Sequence, residues 1–167
     1  MMDYVALRKS LGTQDRNQLA KILDGILSQL DDYQMVTAFG GYYFEQIVSG
    51  FSDERFLEEL RVFYEKSRYG SFFDRKWTWT SKTYDEITPI TGCWYQLMGH
   101  WLDAVCKGVD TRKRETTQSA FQLLFELLDQ IRDQGIIVMH KNVGEEYIEC
   151  KSDYRMVYAS FQQSLLP

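Results

Sequence analysis

The segment Ile90–Val105 constrains the fold most, because its sixteen residues (ITGCWYQLMGHWLDAV) contain a single formal charge, Asp103. Its apolar side chains recur at the i, i+3, i+4 and i+7 spacing that places them on one face of an α-helix. They are Ile90, Cys93, Trp94, Leu97, Met98, Trp101, Leu102 and Val105. The opposite face carries small or uncharged side chains, so we expect neighbouring helices to cover this helix on most sides. A membrane span needs about 20 apolar residues, and this segment is too short for one.

Amphipathic spacing in the rest of the chain predicts an all-α fold, a single-domain bundle of five to six helices over residues 1–167. The clearest of these helices runs over about 14–30, with Thr13 as its N-cap and an apolar stripe that should pack on the central helix. That stripe consists of Leu19, Ile22, Leu23, Ile26, Leu27 and Leu30. Other helices are expected near 31–47, 52–69, 89–108, 115–134 and 152–165, with a weaker one over 3–11.

Two segments depart from the helical spacing. Residues 76–84 (KWTWTSKTY) alternate between tryptophan and threonine at a period of two, which favours a β-strand. Residues 136–139 (IIVM) are a short apolar run. Two arrangements are open: this run pairs with residues 76–84 as a small two-stranded element, or residues 136–151 form their own β-hairpin around Val143–Gly144. Because an isolated hairpin is only marginally stable, either element would have to pack on the helices.

Charge, cysteine content and missing motifs exclude several classes of function. A net charge of −5 argues against nucleic-acid binding, because phosphate neutralisation needs a basic surface. The two histidines are too few for a typical zinc site, and the CxxC, HExxH, GxGxxG, GxxxxGKS/T and GxSxG spacings are absent. We therefore expect no metal, no cofactor, no membrane contact and no enzymatic activity. Three cysteines without paired spacing, and a first segment without the apolar core of a signal peptide, indicate a cytoplasmic protein.

Two groups of residues are candidates for contact with another protein. Aromatic and arginine side chains concentrate binding energy at interfaces, and Arg75, Trp77 and Trp79 lie together in a basic–aromatic strip. The second group is acidic and would attract a partner with a basic surface. Its members are Glu145, Glu146, Tyr147, Glu149 and Asp153. The alternatives are tryptophans that fill the core and a charged face that is simply solvated.

A polar ladder on the central helix is the candidate for a catalytic or ligand-binding site. Its members Gln96, His100 and Asp103 follow spacings of four and three, which bring their side chains to one face of a helix. A buried His–Asp pair can act as a general base with an orienting carboxylate. The alternative is a seam whose polar groups satisfy one another, with Gly92 and Gly99 admitting a close neighbouring helix.

These features predict a small intracellular protein-binding module. The chain carries 11 Tyr, 10 Phe and 4 Trp, an acidic balance and no catalytic motif, which favours a stoichiometric inhibitor of the immunity or antitoxin type, or an adaptor. Its partner would be another protein, and an aromatic-rich helical face leaves a homodimer open as well. The alternative function is a small helical enzyme or ligand-binding protein that uses the polar ladder.

Overall fold

The computed structural model of the chain describes residues 3–73, 87–134 and 145–165. All regular secondary structure within these ranges is helical, which confirms the predicted all-α class. The seven α-helices are α1 Tyr4–Leu11, α2 Arg16–Leu27, α3 Asp32–Gln46, α4 Asp53–Arg68, α5 Pro89–Gly108, α6 Arg114–Gln134 and α7 Tyr154–Ser164. Short 3-10 turns lie at Val48–Gly50 and Glu145–Tyr147. The predicted count of five to six helices was too low, because the weak first segment forms a helix of its own, capped by the Asp3 carboxylate.

Neither predicted β-element is confirmed. The strand near 76–84 lies outside the described residues, and so does the 136–144 half of the hairpin. The remaining hairpin residues, 145–151, form a 3-10 turn followed by irregular backbone instead of a strand. Here the Ile148 N–H donates to the Glu145 carbonyl at 2.9 Å, so this backbone bonds locally as a turn does.

Local capping signals set the helix starts. Ser52 and Thr88 cap α4 and α5, and the hydroxyl of each accepts a backbone N–H three residues on. The prediction that Thr13 caps α2 was wrong. Its hydroxyl donates back to the last turn of α1, and the Asp15 carboxylate caps α2 instead, accepting the Gln18 N–H at 2.9 Å.

Helix α5 is the central element, as its low charge predicted. More than half of its residues are buried, and it has extensive contacts with α3, α6 and α7, while α4 packs on α6. Trp94 is 0% exposed and Trp101 is 4% exposed. The buried Trp94 indole N–H donates to the Ser67 hydroxyl of α4 at 2.9 Å, so the polar end of this large side chain is satisfied within the core.

Helix α2 does not pack as predicted. It has no buried residue, and neither α1 nor α2 takes part in the extensive helix contacts among the described residues. Four of its side chains, here named the aliphatic stripe, are 39%, 40%, 44% and 48% exposed. They are Leu19, Ile22, Leu23 and Ile26. The spacing therefore predicted the apolar face correctly, but the expectation that this face packs on the central helix was wrong.

Candidate functional site

The polar ladder lies on α5 as predicted, but its three side chains do not share one hydrogen-bonded set. The Gln96 amide oxygen accepts the Thr37 hydroxyl of α3 at 3.0 Å. The Asp103 carboxylate accepts hydrogen bonds from the segment that leads into α7. Among the described contacts, none is a hydrogen bond between His100 and Asp103. The geometry therefore lacks the His–Asp pair on which a general-base mechanism would depend.

Asp103 anchors the segment 150–152 to the central helix. One carboxylate oxygen accepts the Ser152 N–H at 2.9 Å and the Cys150 thiol at 3.3 Å, and the other accepts the Lys151 N–H at 3.1 Å. Burial by itself raises the pKa of Asp103, but these hydrogen bonds outweigh burial and lower the pKa overall. The side chain is thus ionised near neutral pH and serves as a backbone acceptor.

The approach of this segment depends on Gly99. A Cβ at position 99 would lie 2.2 Å from the Glu149 carbonyl oxygen and 3.0 Å from its carbonyl carbon. The close neighbour is thus irregular backbone and not the helix that the sequence predicted. At Gly92 a Cβ would lie 3.0 Å from the Tyr33 ring of α3, so here the predicted helix approach is confirmed.

The His100 ring is inserted between α5 and α3. It stacks on Phe44 with ring centroids 5.2 Å apart and an interplanar angle of 21°. Gly40 makes room for the ring, because a Cβ there would lie 2.7 Å from Nε2. Burial lowers the pKa of His100, as do Lys151 and Lys107, while the charges of Asp103 and Glu45 act in the opposite direction. The imidazole is therefore neutral near pH 7.

A cleft of about 260 Å³ opens beside His100, between α3, α5 and the turn at Val48–Gly50. At its rim two ammonium groups converge on one oxygen of Glu45, with Lys151 Nζ at 3.3 Å and Lys107 Nζ at 3.7 Å. The hydrogen bond and charge of Lys151, followed by the charge of Lys107, lower the pKa of Glu45. The rim is thus a cluster of opposite charges that already neutralise one another in part.

Arg112 also lines this cleft, but its guanidinium is committed to the fold. It donates to the carbonyls of Phe51 at 3.1 Å and Val48 at 3.3 Å, and to the Asp53 carboxylate at 3.3 Å. The same group lies 3.9 Å from the centroid of the Phe56 ring. Because its side chain is only 9% exposed, it locks α4 to the loop before α6 and offers little to a ligand.

The predicted protein-contact residues have mixed placements. Arg75, Trp77 and Trp79 lie outside the described residues. In the acidic group, the Glu145 carboxylate pairs with Arg155 and accepts the Tyr154 hydroxyl, and the Asp153 carboxylate caps α7. The Tyr147 ring packs 5.6 Å from that of Tyr95, whereas Glu146 and Glu149 are exposed. Three of the five members therefore have a structural role, and the other two, Glu146 and Glu149, face solvent.

The exposure of the aliphatic stripe was not predicted from the sequence. One signal was present in the composition: residues 1–30 contain a single aromatic residue, Tyr4, in a chain whose core is built largely from aromatic rings. An aliphatic helix next to an aromatic core is a weak indication that it packs elsewhere.

No described group of three or more acidic, histidine or cysteine side chains could hold a metal ion. None of the described helices has the length and apolar character of a membrane span.

The lowered pKa of His100 predicts a pH dependence of stability. A lowered pKa means that the folded state favours the neutral ring, so this contribution is complete above the ordinary value of 6.5 and is lost as the pH falls through the lowered pKa. Between pH 7.5 and 5.5 we expect the free energy of unfolding to fall more for the wild type than for His100→Gln. Urea denaturation of both proteins at the two pH values measures this. Equal losses would contradict it, since His140 and all carboxylates are common to both.

Comparison with protein families, with curated proteins and with solved structures finds no match for this chain.

Proposed function

We propose that this chain is a small protein-binding module and that the aliphatic stripe of α2 is its contact surface. The observation that carries the proposal is the exposure of four large aliphatic side chains on one face of a helix that buries none of its residues. An exposed contiguous apolar patch of a few hundred Å² is comparable to the largest patch on a typical monomeric protein, and such a patch is often functional. The spacing of the stripe is the one by which a helix inserts into an apolar groove or pairs with another helix.

The length of α2 supports the same conclusion. The helix has 12 residues, and isolated helices shorter than about 12–15 residues are marginal in water. Gly25 in its second half weakens it further, because glycine is among the poorest helix formers. A partner that covers the stripe would supply the packing energy that the bundle does not give to α2.

A complex formed through the aliphatic stripe should differ in its salt dependence from one formed through the acidic group. Binding through the stripe is apolar and should depend little on salt, whereas binding of a basic partner to Glu146 and Glu149 would weaken as salt rises. An inhibitor or adaptor role is compatible with either surface. Binding of a basic partner to the acidic group stays a prediction. The exposure of its four aliphatic side chains favours the stripe as the contact surface.

The stripe is tested with Ile22→Glu, which places a carboxylate at its centre. Asn17→Glu is the matched control, because it adds the same charge on the opposite side of α2 at an exposed position. With the full chain as bait in native lysate, we expect stoichiometric partner recovery to fall at least about tenfold for Ile22→Glu, as for a central interface residue, and to persist for Asn17→Glu. Quantitative mass spectrometry at low salt and at about 0.5 M salt measures both points.

The control on folding is circular dichroism, since a side chain that contacts no core should leave the melting temperature of Ile22→Glu close to that of the wild type. Unchanged recovery with Ile22→Glu would contradict the proposal. If partner recovery falls only as salt rises, and equally for the wild type, Ile22→Glu and Asn17→Glu, the acidic group would be the contact surface instead of the stripe.

The cleft beside His100 favours a second candidate function, the binding of a small polar molecule. The imidazole borders the cleft, and neither of its nitrogens is hydrogen-bonded by a described residue. A concave site with a small number of polar groups that point into it is typical of ligand pockets. The cleft beside His100 is smaller than most such pockets. A small molecule that native mass spectrometry finds on the wild type, and that His100→Ala loses without a change in fold, would support this function over protein binding.

A further inference from the structure

We propose that the aliphatic stripe is covered by the same stripe of a second copy of this chain, with the two α2 helices antiparallel about a two-fold axis. The inference rests on the proposed function, because it assigns the occupant of that contact surface. Four observations about α2 carry it: its lack of cover, the symmetry of its stripe, the position of its charges and the area that it exposes.

The lack of cover is specific to the start of the chain. Helices α3 to α7 all bury side chains in the core, whereas α2 buries none. None of the described helices packs extensively on α2, since the extensive contacts omit both α1 and α2. A second copy supplies a matching helix without requiring any other molecule.

The stripe is symmetric in a way that suits a two-fold axis. An isologous interface needs a patch that is complementary to itself. An axis between positions 22 and 23 of two antiparallel helices sets Leu19 opposite Ile26 of the second copy. The same axis sets Ile22 opposite Leu23 of the second copy. All four aliphatic side chains therefore meet aliphatic side chains, with none left over.

The charges of α2 permit this arrangement and favour the antiparallel direction. At 100° per residue, Lys21 and Asp24 lie on the side of the helix away from the stripe. Arg16 is the one charged residue of α2 beside the stripe. A parallel pair would set the two Arg16 side chains together, whereas an antiparallel pair places each near the end of the other helix, which Asp31 and Asp32 follow. The chain carries a net charge of −5, so an uncharged stripe is the surface on which two copies approach with least repulsion.

The exposed area sets the expected strength. Exposure of 39–48% over four side chains leaves on the order of 300 Å² of apolar surface on each copy. The two stripes together would bury on the order of 600 Å², which is below the roughly 1,000 Å² of a stable specific interface and in the range of weak, transient contacts. We therefore expect a reversible dimer with a micromolar dissociation constant and not a permanent one.

The first test is sedimentation of the purified full chain from about 1 to 500 µM, a range chosen to bracket a micromolar dimer. The wild type should shift from its monomer mass of 19.7 kDa towards twice that mass as concentration rises. Asn17→Glu should behave as the wild type does, whereas Ile22→Glu should stay monomeric across the range. A wild type that remains monomeric at the highest concentration overturns the proposal. So does a dimer that Ile22→Glu leaves intact, because its interface then lies elsewhere.

The second test is the direction of the pair. Chains carrying Leu19→Cys are mixed with chains carrying Ile26→Cys and oxidised mildly, with the wild type as control for the native cysteines. An antiparallel pair gives a covalent dimer in the mixture and not with either variant alone. Cross-linking of Leu19→Cys with itself would overturn the antiparallel arrangement.

The two proposals can fail separately. If the wild type is monomeric but loses a captured partner on Ile22→Glu, the stripe binds a foreign protein and the second-copy proposal fails alone. If Ile22→Glu affects neither sedimentation nor partner capture, the stripe is not a contact surface and the proposed function fails with it.

Discussion

Gly99→Ala is expected to lower the free energy of unfolding by about 3 kcal/mol or more, the upper range for overpacking a buried site. The new methyl group would lie 2.2 Å from the carbonyl oxygen of Glu149. That atom belongs to the backbone, so no side-chain rotation can relieve the contact. The segment would have to move away from α5, and the hydrogen bonds that it donates to Asp103 would lengthen with it. Urea denaturation of wild type and variant measures the loss.

The chain offers a matched control of opposite sign in Gly25→Ala. A Cβ at position 25 meets nothing within 4 Å, so this substitution changes only helix propensity. It should raise the stability of α2, by up to about 1 kcal/mol if α2 unfolds together with the bundle. A loss below about 0.5 kcal/mol for Gly99→Ala, the size of an ordinary surface substitution, would show that the segment at 149–150 is not held against α5 as the structure has it.

The bounds of α5 were predictable because the signals that set them are local. A threonine cap, a proline in the first turn and a closing glycine lie within the helix sequence itself, and the structure places α5 at Pro89–Gly108. The contact at Gly99 was not predictable in this way. Its partner lies about 50 positions later in the chain and bonds through backbone, which leaves no pattern in the side chains.

The candidate site shows the same limit. Helical spacing placed Gln96, His100 and Asp103 on one side of α5, but spacing within one helix does not say which distant groups each side chain meets. Thr37, Gly40 and the segment 150–152 supply those partners, and they separate the three residues into different contacts. For α2 the spacing of the apolar residues defined the apolar face. Which segment packs on that face depends on the path of the chain after Ser28. Periodicity reports that a face is apolar and not what lies on it.

Asp103→Asn is expected to destabilise the protein by about 2–3 kcal/mol, the range for hydrogen bonds to a buried charged group. The carboxylate accepts two backbone N–H groups and one thiol, all acceptor roles. An asparagine side chain keeps one acceptor oxygen and turns an NH₂ donor towards another donor. At least one N–H of the segment 150–152 would then lose its partner. Asp110→Asn is the control, because Asp110 is exposed beyond the end of α5 and should change stability by less than about 0.5 kcal/mol.

The pH dependence of the Asp103→Asn effect tests whether the ionised carboxylate is the form that stabilises the fold. The lowered pKa means that the carboxylate stabilises the fold fully above its ordinary value of 3.8 and stops doing so as the pH falls through the lowered pKa. The difference in the free energy of unfolding between wild type and Asp103→Asn should therefore stay constant from about pH 5 to 8 and become smaller below about pH 4. A variant as stable as the wild type at pH 7 would mean that Asp103 is dispensable to the fold. Its burial on α5 would then need another explanation, and a role for the carboxylate in the cleft beside His100 would become the first to test.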